Sequence, residues 1–141
     1  MFDDECGPSC EGKVGVKTKT ILVVDDNPFI AGLLEDLLTN VPGYHVLTID
    51  DGEAAHDLIV TKPPDLVILD VHIPRMNGFA LYDELRRNSA TATVPILLMS
   101  AAMPHPELAR RGILDYIRKP FDVEDLLARI HTMLHPPETI H

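Results

Sequence analysis

The chain has 141 residues, enough for one domain with a buried core. Hydrophobic residues at 45% and charged residues at 24% are the proportions of a soluble globule, and no apolar run approaches the length of a membrane span. A formal net charge of −10 without a basic stripe argues against binding to nucleic-acid phosphates.

Residues 1–19 are acidic, rich in Gly and Lys and poor in apolar side chains, so they read as a flexible N-terminal tail. They lack the charged-then-apolar layout of a signal peptide, and a cytoplasmic location is the expectation. Cys6 and Cys10 bracket Gly7-Pro8-Ser9, one residue longer than a thioredoxin-type motif. No strand precedes them and no helix follows to tune a thiolate, so they read as two solvated thiols.

Thr20-Ile21-Leu22-Val23-Val24 is a short apolar run that ends abruptly in Asp25-Asp26, the pattern of a strand buried on both faces. Asn27 then caps a helix with Pro28 at its first position. Ile30, Leu33, Leu34, Leu37, Leu38 and Val41 give that helix one apolar face, and Pro42-Gly43 stops it. His45 to Ile49 is a second strand, Asp50-Asp51-Gly52 a turn, and Ala54, Ala55, Leu58 and Ile59 the face of a short helix. Asp65 to Asp70 repeats the opening pattern of a buried strand ending in a carboxylate. After the loop Val71 to Gly78, Phe79, Leu81, Tyr82 and Leu85 mark a third helix, followed by a polar linker from Asn88 to Thr93. Val94 to Ser100 is a fourth strand and ends in a hydroxyl. A short helix from His105 to Arg111 closes at Gly112, and Leu114 to Ile117 is a brief fifth strand. Asp122 caps a last helix, whose core face is Val123, Leu126, Leu127, Ile130, Met133 and Leu134. The folded part is thus 20–135, with 136–141 a loose C-terminal tail. Five βα repeats give an α/β fold with a parallel sheet and helices on both faces.

In such a sheet the strand ends share one edge, where ligands bind. That edge collects Asp25, Asp26, Asp70, Ser100 and, just beyond strand five, Lys119. Three neighbouring carboxylates repel unless a cation intervenes, and an all-oxygen set of this charge suits Mg2+ with several waters retained. Lys119 would offset the charge of an added phosphoryl group, Ser100 would hydrogen-bond it, and an Asp can itself be the nucleophile. His131 and His135 stand four apart on the last helix, but without a third partner they read as a solvated helix end.

From Thr20 to Leu134 the sequence resembles a response-regulator receiver domain, the phosphoacceptor module of two-component signalling. The resemblance rests on Val-Val-Asp-Asp, Leu-Asp-Val-His-Ile-Pro with Asn77-Gly78 downstream, Ser100-Ala101, and Lys119-Pro120-Phe121, in order and each at a strand end. It implies a flavodoxin-like, doubly wound (βα)5 fold with strand order 2-1-3-4-5 and a cis Lys119–Pro120 bond. It implies that Asp70 accepts a phosphoryl group from a phosphohistidine of a histidine kinase or phosphotransfer protein and later releases it by slow autodephosphorylation. Asp26, Asp70 and the backbone carbonyl of His72 would bind Mg2+, with Asp25 acting mainly through water. Lys119 would bind the phosphoryl group, Ser100 would be the switch hydroxyl and Tyr116 the rotating aromatic. His72 and Ala102 would gate the attacking water. A downstream protein target is implied, with no nucleic-acid or membrane contact by this part.

Two alternatives come from other classes. Haloacid-dehalogenase phosphatases want a second Asp two residues after the nucleophile, where His72 stands, and no Gly-rich phosphate loop follows strand one. A pseudo-receiver that signals by contact alone would not need the intact five-part site. One departure from the family stands out. Only 19 positions separate Ser100 from Lys119, about one helical turn short of the usual receiver spacing. The fourth helix is therefore expected to be stunted and more mobile than its neighbours. The protein is expected not to form a phosphorylation-induced dimer through that face, and to remain a monomer or use another surface.

Overall fold

The structure is a computed structural model that describes residues 18–101 and 106–135. Cys6, Cys10, Ala102, His105 and the C-terminal tail lie outside the described residues, as does the N-terminal tail up to Lys17. The elements are β1 (Lys19–Val24), α1 (Pro28–Thr39), β2 (Tyr44–Ile49), α2 (Gly52–Thr61), β3 (Leu66–Asp70), α3 (Gly78–Arg87), β4 (Ile96–Ser100), α4 (Pro106–Arg111), β5 (Tyr116–Arg118) and α5 (Val123–Leu134). All strand pairs are parallel and the order is β2-β1-β3-β4-β5, the doubly wound sheet implied by the resemblance.

Side-chain alternation along the strands divides the core in two. Leu22, Val24, Val67, Leu69 and Leu98 face α2, α3 and α4, whereas Ile21, Val23, Ile68 and Leu97 face α1 and α5. Every residue of β3 and β4 is buried, because helices cover both faces. Four helices start on side-chain caps: Asn27, Asp51, Asn77 and Asp122 each accept an N–H from the first turn that follows.

Several boundaries and faces differ from the sequence expectation. Asp65 stands at the foot of β3 rather than in it, its carboxylate accepting the Thr20 N–H at 2.7 Å. In α1, Leu34 and Leu38 are buried but Leu33 is 43% exposed, since the apolar stripe is wider than the strip resting on the sheet. Ala54 is likewise exposed, and Ala55 and Ile59 carry the contact of α2. Asp51-Gly52 is not a free turn but the cap and first residue of α2. Val94 and Pro95 precede β4, and β5 begins at Tyr116. Gly112, at φ +67°, turns the chain out of α4, and only at Asp115 does it reach the sheet, where the Asp115 carbonyl accepts the Leu98 N–H. α4 has six residues, so the shortened spacing does produce a stunted helix.

Candidate functional site

The strand register brings the acids together. Val24 pairs with Leu69, so Asp25 and Asp70, the next residue of each chain, emerge side by side. Ser100 pairs with Arg118, and the Lys119 N–H that follows donates to the Ser100 carbonyl at 2.9 Å. The Lys119–Pro120 peptide is cis. The Lys119 ammonium then reaches back across the strand ends and lies 3.1 Å from Asp25 Oδ2 and 3.1 Å from Asp70 Oδ2. Asp25 and Asp70 are buried and Asp26 is exposed, yet one oxygen from each lies within 4.8 Å of the others.

The other oxygen of each buried carboxylate accepts a backbone N–H. Asp25 Oδ1 accepts the Asn27 N–H at 2.9 Å, and Asp70 Oδ1 accepts the His72 N–H at 3.3 Å. Burial, and then the neighbouring charge of Asp25, push the Asp70 carboxyl above its ordinary range, with Lys119 and the His72 N–H opposing part of that rise. For Lys119, burial acts against the charge, but the Asp25 hydrogen bond and the charges of Asp70 and Asp25 outweigh it and hold the ammonium above its ordinary range. One ammonium against three carboxylates leaves an excess of negative charge. Beside it opens a cleft lined by Asp25, Asp26, Pro28, Ala31, Thr48, Ile49 and Asp50. An all-oxygen, under-neutralised set next to open space fits a small hard divalent cation.

The other expected residues sit as follows. Ser100 is buried at the end of β4, next to Met99, the register partner of Asp70. Tyr116 heads β5 at 36% exposure, and alternation with buried Ile117 turns it toward the face that α4 covers. The His72 side chain is exposed, and its backbone rather than its imidazole meets Asp70. His131 of α5 and His135 at its C-cap are exposed and place their rings 4.6 Å apart, and no third metal-ligating group joins them among the described residues.

The support of the loop after Asp70 was not evident from sequence. Gly78 passes so close to that loop that a Cβ would stand 2.6 Å from the Asp70 carbonyl oxygen, and its N–H donates to the Val71 carbonyl at 2.8 Å. A Cβ on Gly52 would stand 2.2 Å from the Met76 carbonyl oxygen. These glycines are needed for close approach, which a one-dimensional pattern does not display. Further out, Arg111 of α4 forks onto Asp83 of α3, with Nε–Oδ1 at 2.9 Å and Nη2–Oδ2 at 2.8 Å. Its guanidinium also lies 4.9 Å from the Phe79 ring centre, and Glu107 pairs with it within α4.

Comparison with known proteins agrees with this fold. Residues 21–131 match the family model of the response regulator receiver domain. The chain is 37% identical over 123 residues to the DNA-binding dual master transcriptional regulator RpaA of Synechocystis sp., covering 85% of this chain but 51% of that protein. The chain thus spans about half the length of the curated relative it matches. Among solved structures it resembles the chemotaxis response regulator CheY4 of Vibrio cholerae, at 29% identity and a TM-score of 0.76, covering 84% of this chain and 100% of that one. It also resembles the receiver domain of the sensor histidine kinase PA1611 from Pseudomonas aeruginosa, at 26% identity and a TM-score of 0.75, covering 83% and 98%. That receiver holds a magnesium ion coordinated in its active-site cleft.

Proposed function

This chain belongs to the response-regulator receiver family, and we propose that it accepts a phosphoryl group on Asp70 from a phosphohistidine of a histidine kinase or phosphotransfer protein, with Mg2+ as cofactor. The observation that carries this reading is the Lys119 ammonium bridging Asp25 and Asp70 with Asp26 close by. In the transfer, an Asp70 carboxylate oxygen forms the new O–P bond while the N–P bond of the phosphoimidazole breaks and the imidazole leaves. Asp70 must be ionised to attack, and Lys119 favours that form. Asp26, Asp70 and the His72 carbonyl are the proposed metal ligands, with Asp25 acting mainly through water. When bound, the ion neutralises charge on the phosphoryl oxygens.

After transfer Lys119 pairs with a phosphoryl oxygen and the Ser100 hydroxyl donates to another, with Tyr116 turning inward behind it. Slow autodephosphorylation resets the switch. The signal passes to a downstream protein target, and the receiver, residues 20–135, works as a cytoplasmic monomer. Arg111 is already committed to Asp83 and Glu107 within the chain, which withdraws it from contacts with a second copy. The test is incubation with Mg2+ and a small phosphodonor, followed by mapping of the modified peptide. A single acid-stable, base-labile phosphate on Asp70 is expected; none, or one elsewhere, overturns the reading.

A further inference from the structure

We propose that Asp51 and Arg75 are a positioning pair that clips the β3–α3 loop to the start of α2 and thereby sets the backbone carrying the metal-binding side of the site. This rests on the Mg2+-dependent reading above.

Arg75 sits at φ +70°, a left-handed conformation that is uncommon for a side chain of its kind. The Met76 N–H donates to the Pro74 carbonyl at 2.9 Å across Arg75, which closes the strained form of a three-residue turn. The same Pro74 carbonyl accepts a second N–H, from Gly52, at 3.1 Å. The loop is therefore folded down onto the first residue of α2. Asp51 completes the clip by dividing its two oxygens. Oδ1 caps α2 by accepting the Glu53 and Ala54 N–H groups at 2.7 and 3.1 Å, and Oδ2 takes the Arg75 guanidinium. The Arg75 hydrogen bond, with the backbone donors, holds the Asp51 carboxyl below its ordinary range, so the pair is charged at neutral pH. An exposed ion pair alone is worth little. Here it acts on a turn that is strained and already docked, and that lies within a few residues of Asp70 and the His72 carbonyl.

Substitutions separate this role from capping and from bulk charge. Asp51→Asn keeps a good cap and loses the anionic partner. Arg75→Gln removes a positive charge near the acids, so simple electrostatics would tighten Mg2+ binding, whereas loss of the clip would loosen it. Titration calorimetry with Mg2+ is expected to show affinity about tenfold weaker in both variants, the order of effect seen when an outer support of a metal site is lost. Labelling of Asp70 in Arg75→Gln should return to the parent rate at saturating Mg2+. A second measurement does not depend on the metal. Amide exchange at Gly52 and Met76 should speed up in both variants while Glu53 and Ala54 stay protected in Asp51→Asn. Unchanged or tighter Mg2+ binding in Arg75→Gln overturns the positioning role, and unchanged exchange overturns the clip. If the parent binds no Mg2+, the proposed function fails and with it the positioning role, while the exchange data still decide whether the clip exists.

Discussion

At the centre of the sheet, Asp25 and Asp70 leave strands paired on both sides and covered on both faces; at the β5 edge, a three-residue strand and a six-residue helix carry Tyr116 and Arg111. Buried ladders fix the central backbone and so the positions of Asp25 and Asp70, which Lys119 reaches from just beyond β5. The edge has too few residues to hold itself. A helix of six residues is not stable alone, and α4 is kept in place by Leu108, nearby Ile113 and the Arg111 fork onto Asp83. Centre and edge thus have different tasks. The carboxylates sit on the rigid centre, and the part proposed to transmit the switch sits where a few side-chain contacts decide the conformation.

Truncation at the two places should separate them most strongly. Ile68→Ala at the centre is expected to cost about 2–5 kcal/mol and to lower the whole denaturation curve. Leu108→Ala should cost less globally and open α4 and β5 first, seen as amide exchange there well before global unfolding. Equal, fully cooperative losses in the two variants would erase the distinction. Arg111→Gln should remove about 1 kcal/mol and speed exchange in α4 while leaving the N-terminal turn of α3 protected.

The site itself predicts a stability change of opposite sign. The Asp70 carboxyl lies above its ordinary range in the folded state. Its contribution to stability is therefore fully present below the ordinary carboxyl pKa and lost as pH rises through the folded value. Asp70→Asn should then be more stable than the parent at neutral pH without Mg2+, with the gap closing in acid. Lys119, also held high, keeps its contribution until alkaline pH. His72→Ala should have the smallest effect on stability, within about 0.5 kcal/mol because the side chain is exposed, yet alter the lifetime of the phosphorylated state. Equal phosphate lifetimes in that variant and the parent would remove His72 from the gating of water.

The centre was legible in the sequence for the same reason that it is rigid. Continuous apolar runs ending in Asp25, Asp70 and Ser100 state burial, direction and strand end at once. The parallel class followed from alternation of strands with helices, and the strand order from the family resemblance. What escaped depends on close approach between distant segments. Thr91 looked like part of a polar linker, but it is fully buried and donates its hydroxyl to the Leu85 carbonyl at 2.6 Å. Arg86, in the last turn of α3, donates to the Ala92 and Val94 carbonyls at 3.0 and 2.9 Å and holds the same loop. Asp51, Gly52 and Arg75 carry no periodic signal, and neither does the pairing of Asp83 with Arg111, whose 28-residue separation hides it.

Phosphorylation of the parent and of Asp70→Asn is to be compared under a small phosphodonor, with Mg2+ and with the ion chelated. The convergence of Asp25, Asp26, Asp70 and Lys119 predicts acid-stable, base-labile phosphate in the parent with Mg2+ alone, and none in Asp70→Asn or after chelation. Undiminished labelling of Asp70→Asn would contradict it.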